Sequence, residues 1–325
     1  MKHLFTVLIF CIVLFIYLHI NFHWKTGNDL EGYEIDKPSK EKLEEICDLR
    51  QPVIFDYNIN ELLQFCNQDA LLNNYGAFDI KIRNVKKYDD KSELYLPLTF
   101  NTANEIFKKD SEEKYISENN GDFLEETGIV KTYRYNDVFL RPYSVSNSIF
   151  DFIFSSKNCK TVMKYDLNYR NYFLVTKGNV NIKLIPPKYS KYLYCQKDYD
   201  NFEFISLINP WEVQSQFKAD FDKVKTLEVN IKQGQIIFIP AYWWYSINMN
   251  EESNIAVFKY RTFMNNVAIS NHLLVKLLQS QNVKREIANK KNLTENNQEN
   301  NQENNQENPL PEKEIENTNV EITQT

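Results

Sequence analysis

Lys164 and Asp166 stand two residues apart in the run "TVMKYDLNYR", and Tyr245 follows paired tryptophans in "FIPAYWWYS". On a strand, residues i and i+2 project to one face, so the ammonium and the carboxylate share a surface. Such a pair suits charge neutralisation. An isolated buried carboxylate is costly, and a neighbouring ammonium with a phenol donor offsets that cost. It suits metal binding badly. A protonated lysine has no free lone pair and repels a divalent cation, and a phenol ligates only as phenolate, with an ordinary pKa of about 10. Imidazoles are scarce: the histidines are His3, His19, His23 and His272, and none falls between Trp24 and Asn271. The cysteines, Cys11, Cys47, Cys66, Cys159 and Cys195, form no CxxC pair, which argues against a zinc knuckle. The four after Cys11 suit either disulfides in an oxidising compartment or buried thiols.

The chain that must position these groups has 325 residues, 42% apolar and 14% aromatic, enough for one sizeable core or two modest ones. A net charge of −6 without a clustered basic face gives no reason to expect a nucleic-acid partner. Residues 4–20, "LFTVLIFCIVLFIYLHI", carry no charge. With Asn21 and Phe22 the stretch makes a helix of about 28 Å, close to one hydrocarbon thickness. No alanine precedes Ala70 and "HINFHWKTG" offers no small-x-small cleavage site. Residues 1–24 therefore read as an uncleaved signal-anchor in a single-pass membrane protein, meeting lipid through residues 4–22. His19, His23 and Trp24 suit the interfacial zone. Lys2 on one side nearly balances Lys25, Lys37 and Lys40, diluted by four acids, on the other, so both orientations stay open.

Residues 25–49 are polar and read as a stalk. Within 50–263, "RQPVIFDYNI" reads as a buried strand, "NINELLQFCNQDALLNNY" as helical, and "ANEIFK" as a helix start. After Phe150 strands dominate, with alternation through "KTVMKYDLNYRNYFLVTKGNVNIKLIPP" and four short strands in "KTLEVNIKQGQIIFIPAYWWYSINMNEESNIAVFKYRTF". Strands at this spacing imply a mainly β sandwich or small barrel with flanking helices. Residues 264–290 read as a C-terminal helix carrying His272, a surface or packing histidine. From residue 291 the composition collapses, with "NQEN" three times in register at 297–308, into a disordered tail. Asn292-Leu-Thr294 is a possible glycosylation sequon if that end faces a lumen.

These blocks, in this order, resemble the cupin-like, JmjC-type branch of the iron- and 2-oxoglutarate-dependent oxygenases, which includes asparaginyl and lysyl hydroxylases. The resemblance covers roughly Arg50 to Phe263. It is carried by "PVIF" at 52–55, "TVMKYDLNYRNYFLVTKGNVNIKLIPP" at 161–187, "YLY" at 192–194 and "GQIIFIPAYWWYSI" at 234–247. It implies a double-stranded β-helix, a jelly roll of two sheets around a pocket. In active members the first long block supplies His-x-Asp and the last a second histidine, a facial triad with open iron positions. Here Lys164, Asp166 and Tyr245 stand there, so one ligand of three survives. Thr161 matches a hydroxyl that bonds 2-oxoglutarate in some relatives, and Asn171 also fits. The basic residue for the distal carboxylate falls near Val180; Lys177 precedes the turn glycine, and Lys183 has the opposite strand parity.

The resemblance thus implies a degenerate metal site, with an ion pair of Lys164 and Asp166, joined by the Tyr245 hydroxyl, in the metal's seat. Trp243 and Trp244 read as core packing. The expected function is a membrane-anchored, non-catalytic module that binds or scaffolds a protein partner, without metal or cosubstrate. The alternative is an active hydroxylase holding Fe(II) and 2-oxoglutarate at an atypical site.

Overall fold

A computed structural model describes residues 2–86, 95–250 and 253–281, all within one structural unit of Met1–Gln281. The expected tail at 291–325, Asn292, and the expected helix beyond residue 281 lie outside the described residues.

Helix α1 (Lys2–Trp24) is long and apolar enough over His3–Trp24 to cross a membrane, and none of its most apolar stretch is covered by protein. Its last turn, by contrast, is docked. His23 is buried, with Nδ1 2.8 Å from the His19 carbonyl and Nε2 3.2 Å from Thr262 Oγ1. The Trp24 indole donates to the Ala268 carbonyl at 2.9 Å. The Arg50 guanidinium lies 4.8 Å from the rings of both Phe22 and Tyr169, and these ring faces solvate a cation whose Nε and Nη2 lack hydrogen-bond partners.

The segment expected as a stalk is part of the fold. Strand β1 (Tyr33–Ile35) pairs in parallel with β2 (Val53–Asp56). Between them α2 (Lys40–Cys47) starts at Ser39, whose hydroxyl accepts from the Lys42 N–H at 3.2 Å. Leu43 and Cys47, at helical spacing, are fully buried. Acidic and basic residues on the outer face of α2 hide this apolar stripe from a reading by composition.

A helical flank follows: α3 (Asn60–Phe65), α4 (Gln68–Tyr75), β3 (Asp79–Asn84), β4 (Leu96–Thr99), α5 (Phe100–Lys109), β5 (Tyr115–Ser117), α6 (Gly121–Glu126) and α7 (Val130–Asn136). The strand-rich half begins with β6 (Val145–Ser155), β7 (Lys164–Tyr165), β8 (Arg170–Lys177) and β9 (Asn179–Ile185). It continues through β10 (Cys195–Asp198), β11 (Glu203–Ser206), the short α8 (Lys218–Phe221), β12 (Leu227–Lys232), β13 (Gln235–Phe238), β14 (Trp244–Met249) and β15 (Asn254–Thr262). Two helices close the described chain, α9 (Phe263–Ala268) and α10 (Ser270–Ser280). The single helix expected from residue 264 is thus broken, because Ile269 leaves helical geometry to bury its side chain at the elbow.

Among the described residues the strands form a nine-stranded sheet, β1-β2-β13-β8-β15-β6-β5-β3-β4, and a six-stranded sheet, β10-β11-β7-β14-β9-β12. Apart from β1 with β2, the pairs are antiparallel. Alternation then sorts each strand. Phe173, Val175, Tyr245, Ile247, Ile255 and Val257 point between the sheets into one cluster. Tyr172, Leu174, Phe258 and Tyr260 point the other way, onto Leu62, Phe100, Phe123 and Tyr133 of the flank. The architecture is the expected mainly β jelly roll with flanking helices. Each large side chain so buried contributes about 1.5–3 kcal/mol.

The tight turn joining β12 to β13 depends on Gly234, at φ +81°, where a Cβ would lie 1.8 Å from Asn58 Oδ1. Its carbonyl accepts the Tyr57 N–H at 2.7 Å, so the turn also fixes the end of β2.

Candidate functional site

Strand parity carries the site. Lys164 and Asp166 project from β7 and its exit, Tyr245 from β14, and Lys259 continues the inward row of Ile255 and Val257 on β15. Asp166 receives the Tyr245 hydroxyl on Oδ2 at 2.8 Å and the Lys259 ammonium on Oδ1 at 3.0 Å. Its backbone carbonyl accepts the Tyr242 N–H at 2.9 Å, which ties the "PAYWWYS" segment to β7. The predicted phenol contact is present. The predicted partner is not, because Lys164 turns away to Glu118, with Nζ 2.5 Å from Oε2. The reason is geometric. Same-face neighbours on one strand stand about 7 Å apart, whereas Glu118, just past the end of β5, and Lys259, on β15, come within bonding distance from the other sheet.

Glu118 belongs to a second, deeper set. Arg83 Nη1 bridges Glu118 Oε1 at 2.9 Å and Glu203 Oε2 at 3.0 Å, and both Arg83 and Glu118 are only 2% exposed. The Tyr95 hydroxyl donates to Glu203 Oε1, and Asn119 Nδ2 reaches the same oxygen at 3.0 Å. Three cations, Arg83, Lys164 and Lys259, thus balance three carboxylates, Glu118, Glu203 and Asp166. Asp151 stands beside them, its carboxylate accepting the backbone N–H groups of Asn119, Asn120 and Phe152 at 2.7–2.9 Å.

The electrostatics follow from this pairing. Burial alone would raise Glu118, but Lys164 and Arg83 outweigh it and hold the carboxyl down at about 2. Burial likewise works against the charged form of Asp166, and Lys259, Lys164 and the Tyr245 hydroxyl reverse it, leaving the pKa below its ordinary value. Burial pulls Lys164 down while Glu118 and Glu203 push it up, with a net rise. Tyr245 is driven well above a normal phenol by burial and then by Asp166. It is a neutral donor at physiological pH. Asp151 is raised, chiefly by burial.

At the three positions that the resemblance aligned with metal ligands stand a charged ammonium, a neutral phenol and a carboxylate engaged on both oxygens. Among the described residues no group of three or more His, Cys, Asp and Glu side chains could hold a metal ion.

The residues that the resemblance aligned with the cosubstrate are bonded or packed within the fold. Thr161 Oγ1 accepts the Ile247 N–H at 2.8 Å. Asn171 donates to the Ile239 and Asn168 carbonyls at 3.1 and 3.3 Å and accepts from Asn168 at 3.2 Å. Val180 is buried in the barrel cluster. Lys177 meets Asp69 at 2.7 Å, and Lys183 meets the Pro210 carbonyl at 3.2 Å over the Trp211 ring.

The paired tryptophans are core, as expected: Trp243 donates to the Arg50 carbonyl at 3.2 Å and Trp244 to Ser190 Oγ at 2.8 Å. The cysteines are free; Cys47, Cys66 and Cys159 are buried, with thiols raised by burial to about 11, 12 and 12. His272 is a packing residue, 3.0 Å from the Tyr199 hydroxyl and edge-on to Phe204.

Outside the barrel lies a recess of about 520 Å³ bordered by Trp24, Tyr165, Cys195, Tyr242, Trp244 and His272. A second, of about 710 Å³, is bordered by Lys86, Lys160, Thr161, Glu212 and their neighbours.

Two facing, largely antiparallel sheets around a shared core, with helices outside, fit a cupin fold. The sequence agrees: a family model described as the cupin-like domain matches residues 38–266, and the chain belongs to that family. The match begins at Pro38, so it takes in α2. A search of curated proteins finds none that matches the chain.

Proposed function

We propose that the chain is a membrane-anchored, non-catalytic module of the JmjC-like kind, whose metal pocket is closed by its own charges and which binds a protein partner through surfaces outside the barrel. The observation that carries this reading is the seat of Asp166. The one surviving ligand residue is held by Lys259 and Tyr245, with Lys164 and the Arg83–Glu118–Glu203 set filling the space beside it. The length and apolarity of α1 support single-pass anchorage. The docking of its last turn into the fold makes the body a rigid extension of the anchor. The aromatic recess beside Trp244 supplies a contact surface that needs no metal.

Metal analysis and 2-oxoglutarate turnover of the purified full chain in nanodiscs test the reading. The expected results are no stoichiometric iron, manganese or zinc, and no succinate above background. One iron per chain, with turnover abolished by Asp166→Ala, would instead establish the oxygenase. Proximity labelling from the full chain in its membrane identifies the partner.

A further inference from the structure

Helices on the surface of a water-exposed domain turn their polar face outward. The α9–α10 elbow does the reverse. Ile269, His272 and Leu273 face the body: Ile269 is buried, His272 meets Tyr199, and Leu273 packs on the cluster of Leu167 and Phe204. Lys276 also turns inward, its ammonium 4.8 Å from the Phe202 ring. The exposed positions include Phe263 and Val267 on α9 and Leu274, Val275, Leu277 and Leu278 on α10, beside the polar Ser270, Asn271, Gln279 and Ser280, with Phe263 65% and Leu278 59% exposed. Six exposed large apolar side chains gathered on two consecutive helices suit a binding face.

Its place in the fold names what covers it. Trp24 and His23, the last residues of the apolar helix α1, are hydrogen-bonded to Ala268 and Thr262. These two residues lie within and beside α9. If α1 spans a bilayer, its terminal turn lies in the interfacial zone, and α9 is fixed at that same level. After the elbow at Ile269 comes α10, whose Leu274, Leu277 and Leu278 are exposed among the described residues.

We infer that α9 and α10 form a second membrane contact. The elbow lies in the interface of the bilayer that α1 crosses, with Phe263, Leu274, Leu277 and Leu278 immersed among the headgroups and upper acyl chains. The inference rests on the proposed anchorage. With α1 docked rigidly, this contact sets the tilt of the whole domain. It also places the recess bordered by Trp24 and His272 against the membrane surface.

The test uses the full chain in phosphatidylcholine vesicles with a polarity-sensitive NBD label on single cysteines. Cys195→Ser leaves Cys11 in α1 as the other cysteine that is not buried, and its label reports the anchor. Adding Cys11→Ser and Leu277→Cys moves the label to α10, and Glu105→Cys in place of Leu277→Cys provides a water-exposed control. The expected result is blue-shifted emission at positions 11 and 277, lost when the vesicles carry nitroxide-labelled lipid, with red-shifted, unquenched emission at 105. Lipid quenching at 11 with water-like emission at 277 overturns the inference and leaves the anchor intact. Water-like emission at 11 overturns both. Blue-shifted emission at 277 that lipid nitroxides leave unchanged shows that protein covers the elbow, from another copy or the remaining chain, and also overturns it.

Discussion

Lys259 Nζ lies 3.0 Å from Asp166 Oδ1 across a sequence separation of 93 residues, while Lys164, two residues away, pairs with Glu118. Removing one partner of a buried pair leaves an uncompensated charge, at a cost of about 3–5 kcal/mol. Lys259→Met is therefore expected to destabilise the fold by about 2–4 kcal/mol, the lower figure reflecting the residual exposure of the pair. Lys259→Met with Asp166→Asn should recover much of this, since no charge is then orphaned. Denaturant midpoints of the detergent-solubilised chain check it. A single variant as stable as the parent would show that Asp166 needs no cation.

Acid should loosen the site in a defined window. Glu118 titrates at about 2 in the fold, against about 4.3 in an unfolded chain, and Asp166 is also depressed. A depressed carboxylate contributes stability that is present above the unfolded pKa and lost as pH falls through the folded one. The unfolding midpoint should thus hold from neutrality to about pH 5 and then drop towards about pH 2. Asp151, raised by burial, works oppositely and softens the drop. Glu118→Gln should flatten this acid limb while lowering the midpoint at neutral pH. Parallel acid limbs in parent and variant would count against the depressed pKa.

Much of this was legible in the sequence because alternation in strands is local. Val53–Asp56, the strand pairs after Phe150 and the inward acid at 166 follow from patterns a few residues long. The charge partners were not. Glu118, just past β5, reaches Lys164 over 46 residues, and Glu203 on β11 reaches Arg83 over 120, both from outside the motif blocks. One signal was available: in "NIAVFKY" the inward row Ile255, Val257, Lys259 ends in a cation, which demands a buried acid opposite. The same holds for Ser39, Leu43 and Cys47, a cap and a helical stripe inside a segment that its many charges made look like a stalk.

The β12–β13 turn gives a backbone test. At φ +81° a side chain brings left-handed strain of roughly 1–2 kcal/mol, and at Gly234 the new Cβ also strikes Asn58. Gly234→Ala should cost more than that strain alone, and Asn58→Ala in the same chain should return the steric part but not the conformational part. Thermal unfolding of the two variants separates them. Equal stability of Gly234→Ala and the parent would refute the turn.

The proposed closure of a metal site can be tested by restoring the missing ligands. Lys164→His with Tyr245→His restores the His-x-Asp and histidine pattern that an iron triad requires. Yet Lys259 would still hold Asp166 Oδ1. A unit charge about 4 Å away, at an effective dielectric of about 20, opposes a cation by about 4 kcal/mol per charge. The double variant should therefore bind cobalt(II) weakly, and adding Lys259→Met should tighten binding by roughly tenfold or more, given that each tenfold requires about 1.4 kcal/mol. Titration of the cobalt absorption bands measures each step. If the triple variant binds no better than the double, Lys259 is not what excludes the metal, and the exclusion lies with the ligand substitutions alone. One cobalt per chain in the parent would show that the site excludes no metal at all.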